Sequence, residues 1–182
     1  MIEQKKIRVG ISIGDLNGIG IEIILKTFQD NRMMDFCTPI IFGSNKIISE
    51  HKKALNLHDI HLHKINDMSG VNPKKTNLLN IWEKDIAINL GNSSSEAGKY
   101  ALQSIEMACN SLKNKEIDVL VTAPINKSNI QREVKEFIGH TEFLENYFNG
   151  KSLMIMVSDI MKISFITGHI PLSKVKQAIN IE

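Results

Sequence analysis

The chain has 182 residues, 42% hydrophobic and 23% charged, which suits a soluble globular protein of one domain, or of one and part of another. A net charge of +2, with lysines spread singly or in pairs among acids, gives no basic surface for nucleic acid. No stretch approaches the roughly 18 uncharged apolar residues of a membrane span. The start, MIEQKKIRVGISIGD, has too short an apolar run for a signal peptide and ends it at Asp15. Cys37 and Cys109 lack metal-type spacing, so a reducing cytoplasm is the expected compartment.

In chain order, IRVGISI (7–13) reads as a strand and IGIEIILKTFQD after it as a helix. TPIIFG (38–43) is a second strand, followed by a helix from Ser44 to about Leu55. From about His58 to Leu90 the pattern is irregular, with short pieces such as LLNIW and a turn at Asn72-Pro73. A long helix begins at Ser93, where Ser93 and Glu96 have capping-box spacing. Ala97, Ala101, Ile105, Ala108 and Leu112 then form one buried stripe.

IDVLVTA (117–123), apolar nearly throughout, predicts a central strand covered on both faces. A short helix after Pro124, a helix at TEFLENYF, and the strands SLMIMV and KISFIT follow. The last helix is expected to start near Pro171 and to be running still at Glu182. Alternation of this kind defines an α/β fold with a largely parallel sheet, without internal repeats or a low-complexity linker. SKVKQAINIE stops without a glycine cap or polar tail, so the chain is expected to be cut short.

Three stretches hold residues suited to chemistry. In GDLNGIGIE (14–22) the glycine spacing G-x3-G-x-G is not the dinucleotide fingerprint. These glycines permit close approach of backbone to a ligand at a helix start, or simply a tight turn. In TAPINKSNI (122–130) a strand ends at its carboxyl edge, where open α/β sheets place ligands, and Lys127 lies just beyond within reach of an anion. In FIGHTEFLE (137–145), His140 and Thr141 present a ring nitrogen and a hydroxyl side by side at a helix start. They suit a phosphate or carboxylate; the plainer alternative is an N-cap threonine beside a surface histidine.

In FITGHIPL (165–172), His169 sits between a strand end and Pro171 and is expected at the same carboxyl edge as Thr122. It is a candidate metal ligand or a solvated loop residue. HDIHLH places His61 and His63 on one face of a strand, near His58, but away from the other candidates.

Taken together, GDLNGIGIE, TAPINK, GHTEF and the strand-end H-I-P-L resemble, in order and spacing, the 4-hydroxythreonine-4-phosphate dehydrogenase family of vitamin B6 biosynthesis. The resemblance covers nearly all of this chain but about the first half of a family member. It implies a fold similar to isocitrate and isopropylmalate dehydrogenases: an α/β/α sandwich of two lobes around a cleft. The first lobe would occupy 1–125 and an incomplete second lobe 126–182.

It also implies NAD-dependent oxidation and decarboxylation of 4-phosphooxy-L-threonine to 3-amino-2-oxopropyl phosphate, by a homodimer. His140 and Thr141 match the substrate-binding pair, and Lys127 and Asp15 are further candidates to touch substrate. His169 matches the first of three histidines holding a divalent metal (zinc, magnesium, manganese or cobalt) at the dimer interface. The reading requires His169 and the His140–Thr141 pair to converge on one cleft.

Leu16, Asn17 and Ile21 replace the family's usual Pro, Ala and Pro, and Gly168 stands where a threonine often precedes the metal histidine. The other two metal histidines and part of the phosphate site are expected beyond Glu182. The alternatives are a related dehydrogenase acting on another hydroxy-acid phosphate or, for this chain alone, a non-catalytic fragment.

Overall fold

The computed structural model describes residues 6–168 and 170–179. These fall into two compact units, divided between His140 and Thr141. The first unit opens with strand β1 (Ile7–Ser12), helix α1 (Gly20–Thr27), a single turn α2 (Met33–Phe36), strand β2 (Cys37–Gly43) and helix α3 (Asn45–Ala54). Strands β3 (His63–Ile65) and β4 (Asn77–Asn80), helix α4 (Ser95–Lys113), strand β5 (Val119–Thr122) and short helix α5 (Lys127–Gln131) complete it.

The five strands form one sheet in the order β3-β4-β2-β1-β5, every neighbouring pair parallel. Parallel strands need crossover connections, so helices fall on the faces of the sheet. Alternation along β2 serves both faces. Ile41 joins Ile11, Ile13, Ile24, Leu25 and Ile47 in one core cluster. Ile40 and Phe42 join Leu79, Ala108 and Ile117 in the other. Each fully buried Ile, Leu or Phe among them contributes roughly 1.5–3 kcal/mol relative to exposure.

Ser44 begins α3 as expected, its hydroxyl accepting from the Lys46 N–H at 3.3 Å. The cap of α4 lies one residue later than the capping-box spacing predicted. Ser94, not Ser93, accepts from the Ala97 N–H at 3.1 Å, and the Ser93 hydroxyl donates instead to the side chain of Asn129.

IDVLVTA also departs from expectation: β5 is an edge strand, with Val119 44% and Val121 51% exposed. An apolar run records what a strand could bury, not where the topology puts it. The first compact unit runs to His140. Asn129 and Ile130 of α5 are fully buried, and α5 packs closely on α4.

In the second unit, the rest of helix α6 (His140–Phe148) leads to strands β6 (Ile155–Val157) and β7 (Lys162–Ser164), then helix α7 (Leu172–Ala178). β6 and β7 pair antiparallel with one another and do not extend the parallel sheet. The ribbon is apolar yet exposed, Ile160 at 92%. α7 begins after Pro171 but ends at Ala178, because Ile179 takes an extended conformation. No helix among the described residues is long and apolar enough to cross a membrane.

Candidate functional site at the carboxyl edge of the sheet

The strand order fixes where a ligand crevice should form. From β1 the chain moves to β2 on one side, and later enters β5 on the other. The carboxyl ends of β1 and β5 therefore flank a topological switch point, the usual ligand position in open α/β sheets. A cleft of about 330 Å³ lies there, lined by Asp15, Asn17, Ser93, Pro124 and Asn126 among others.

The turn after β1 is held tightly. Gly14 has φ +71°, and a Cβ there would lie 2.2 Å from the Pro124 carbonyl oxygen. Without a side chain, the Asp15 N–H reaches that same oxygen at 2.9 Å. For Gly14 the structure thus favours the tight turn over a ligand cradle.

Asp15 is buried, and both carboxylate oxygens already accept protein donors. Oδ1 takes the Asn17 N–H at 2.7 Å, and Oδ2 takes the Asn129 amide at 2.7 Å. Asn17, where the resemblance led to alanine, ties this turn to the approach to α4. Its amide donates to the Asn92 carbonyl (3.0 Å) and the Ser94 hydroxyl (3.3 Å), and its oxygen accepts from the Asn89 N–H (2.8 Å).

Lys127 is the exposed first residue of α5, begun by Asn126, whose side chain accepts from the Asn129 N–H at 3.2 Å. His140 is half-buried, and its Nε2 is buried with no hydrogen-bond partner among the described residues. Burial, and then the Lys127 charge, push its ring below the ordinary imidazole range. The ring is therefore neutral near pH 7 and lies within electrostatic reach of a cation, with one nitrogen unpaired. Thr141 is exposed inside the first turn of α6, not capping it, since the helix starts at His140.

The structure therefore brings Lys127 and His140 within electrostatic range and makes Asp15 an anchor. His169 lies outside the described residues. The strand before it, β7, pairs with β6 in the antiparallel ribbon. Among the described residues no three His, Cys, Asp or Glu side chains gather to hold a metal. His61 and His63 do not share a strand face, because β3 starts only at His63, whose Nε2 pairs with the Gly70 carbonyl at 3.1 Å.

Sequence reasoning missed Asn129, Ser93 and Asn17. Their local signal is weak: Asn126 and Asn129 at a cap-like spacing of three, and the Ser93-Ser94-Ser95 run before α4.

An open parallel sheet with a polar crevice at its switch point defines an α/β protein of the kind that places ligands at the carboxyl edge of its strands. Residues 35–182 match the family described as pyridoxal phosphate biosynthetic protein PdxA, and the chain belongs to that family. It is 40% identical to a 4-hydroxythreonine-4-phosphate dehydrogenase of Bacteroides thetaiotaomicron, over 100% of this chain and 50% of the relative. A protein of the same name from a Sulfurihydrogenibium species is 30% identical, over 97% of this chain and 54% of the relative.

Among solved structures, the Burkholderia phymatum 4-hydroxythreonine-4-phosphate dehydrogenase superposes with a TM-score of 0.84 at 23% identity. That match covers 94% of this chain and 52% of the other. The Klebsiella pneumoniae structure of the same title gives 0.78 at 23% identity, over 97% and 55%. These likenesses establish the fold. The chain spans about half the length of the curated relatives it matches.

Proposed function

We propose that this chain works within a cytoplasmic, homodimeric, NAD-dependent dehydrogenase that oxidises and decarboxylates 4-phosphooxy-L-threonine to 3-amino-2-oxopropyl phosphate in vitamin B6 biosynthesis. Family membership and the names of the relatives support the reaction. The observation that carries the site is the buried, unpaired Nε2 of His140 within reach of the Lys127 charge. A neutral imidazole supplies one N–H donor, and an ammonium supplies charge and up to three more. Together with the exposed Thr141 hydroxyl, these groups match the needs of a phosphate or carboxylate oxygen cluster.

NAD would accept the hydride, and a divalent metal would act as Lewis acid on the hydroxyl and then carbonyl oxygen of the substrate. The described residues do not complete a metal site, so no step is assigned through it. The contribution assigned to this chain is recognition: Lys127, His140 and Thr141 hold the substrate's anionic end, while Asp15 fixes the turn beneath.

The test is NADH formation by the expressed protein, supplied with a divalent metal, from 4-phosphooxy-L-threonine and from its unphosphorylated counterpart. Preference for the phosphorylated acid is expected, with Lys127→Met and His140→Ala raising KM for it. Equal or better turnover of the unphosphorylated acid would refute the assignment.

A further inference from the structure

The amide of Asn129 has only one consistent orientation. A carboxylate only accepts, so the amide nitrogen must face Asp15 Oδ2, 2.7 Å away. The amide oxygen then accepts from the Ser93 hydroxyl, while Asp15 Oδ1 accepts the Asn17 N–H. Asn129 is fully buried and Asp15 nearly so. The turn after β1, the approach to α4 and helix α5 are thus joined by hydrogen bonds of a single polarity, charge-assisted at Asp15 and shielded from water. Lys127 opens the same short helix, two residues before Asn129.

We propose that Asn129 and Asp15 are positioning residues for the substrate site. Clamped between Ser93 and Asp15, the Asn129 amide locks α5 onto α4 and holds Lys127 within electrostatic reach of His140. This rests on the reading that Lys127 and His140 meet the substrate's anionic group, but the lock itself is testable without substrate.

The experiment is an NMR titration of the His140 ring in this chain, with folding followed by circular dichroism. Asn129→Leu removes both bonds of the amide and keeps the Asp15 charge, whereas Asp15→Asn removes that charge and is still bonded once the Asn129 amide turns over and Ser93 accepts instead of donating. Loss of a negative charge, acting alone, lowers the pH at which a nearby imidazole titrates. Withdrawal of the Lys127 cation raises it. Asn129→Leu is expected to move the His140 titration upward, in the direction set by Lys127→Met, which adds nothing further once the lock is broken.

The exchange Asp15→Asn with Asn129→Asp restores the polarity. The new carboxylate at position 129 accepts from Ser93 and from the new amide at position 15, whose oxygen takes the Asn17 N–H. It is expected to return both the His140 titration and the melting temperature towards the parent.

A folded Asn129→Leu protein whose His140 titration is unmoved or lowered would overturn the proposal. Should the single variants fail to fold, the exchange decides. Recovery supports the lock, and an exchange that is unfolded or still shifted refutes it. Inorganic phosphate added to the parent probes the other premise: His140 resonances that ignore it would refute the substrate-site reading, while the lock stands or falls on the titrations.

Discussion

Gly98→Ala places one methyl group where α4 and α5 meet. Its ideal Cβ would lie 2.3 Å from the carbonyl carbon and oxygen of Asn129 and 2.6 Å from the Ile130 nitrogen. These are backbone atoms, so no side-chain rotation relieves the clash. Moving the contact from 2.3 to 3.4 Å requires α5 to withdraw by about 1.1 Å. The Asn129–Asp15 hydrogen bond, now 2.7 Å, would stretch past bonding range.

Overpacking of this kind costs roughly 1–3 kcal/mol, and a lost hydrogen bond to a charged group about 1.5–3 more. Against this, replacing glycine by alanine within a helix contributes about 1 kcal/mol of stability. The expected net loss is about 1.5–5 kcal/mol, read from urea unfolding with an unchanged slope. The sign makes the test decisive. Without the close approach, Gly98→Ala would stabilise the protein, and any gain in stability refutes the packing argument.

Stability should also fall in mild acid. Burial pushes His51 below its usual 6.5, even as its Nε2–H donates to the Leu16 carbonyl at 2.8 Å. His140 is lowered as well. Both rings take up a proton more readily when unfolded, so the unfolded state binds more protons below about 6.5. Stability is therefore level above that pH and lost as pH falls from about 6.5 through the folded-state values. Urea midpoints across this range check the slope, and His51→Gln should reduce it; a flat profile would contradict the burial of both rings. The thiols give a simpler readout. Burial, aided by Glu106, pushes Cys109 up to about 11, and burial raises Cys37 as well. Neither should react quickly with a thiol reagent in the native chain, whereas both should after unfolding. Rapid native labelling of Cys109 would show that α4 is not packed as described.

Local pattern alone determined a good deal of this protein. The alternating β-branched runs of β1 and β2 and the alanine-rich stripe of α4 each bury a face whose period is written in consecutive residues. The parallel α/β class follows from their alternation. The motifs at 122–127 and 139–141 pointed to Lys127, His140 and Thr141 as candidates, through the donors they present and the family resemblance they carry.

What needed the tertiary structure was every property that depends on neighbours far along the chain. The edge position of β5 is set by which strand lies beside it, and no count of its valines reveals that. Asp15 and Asn129 meet across 114 residues, and nothing in either local stretch specifies the other. A one-residue change of cap, from Ser93 to Ser94, releases a hydroxyl for that same network. Apolar burial repeats along a helix or strand and so leaves a periodic trace. A buried polar contact is a single pairing fixed by topology, and it leaves none.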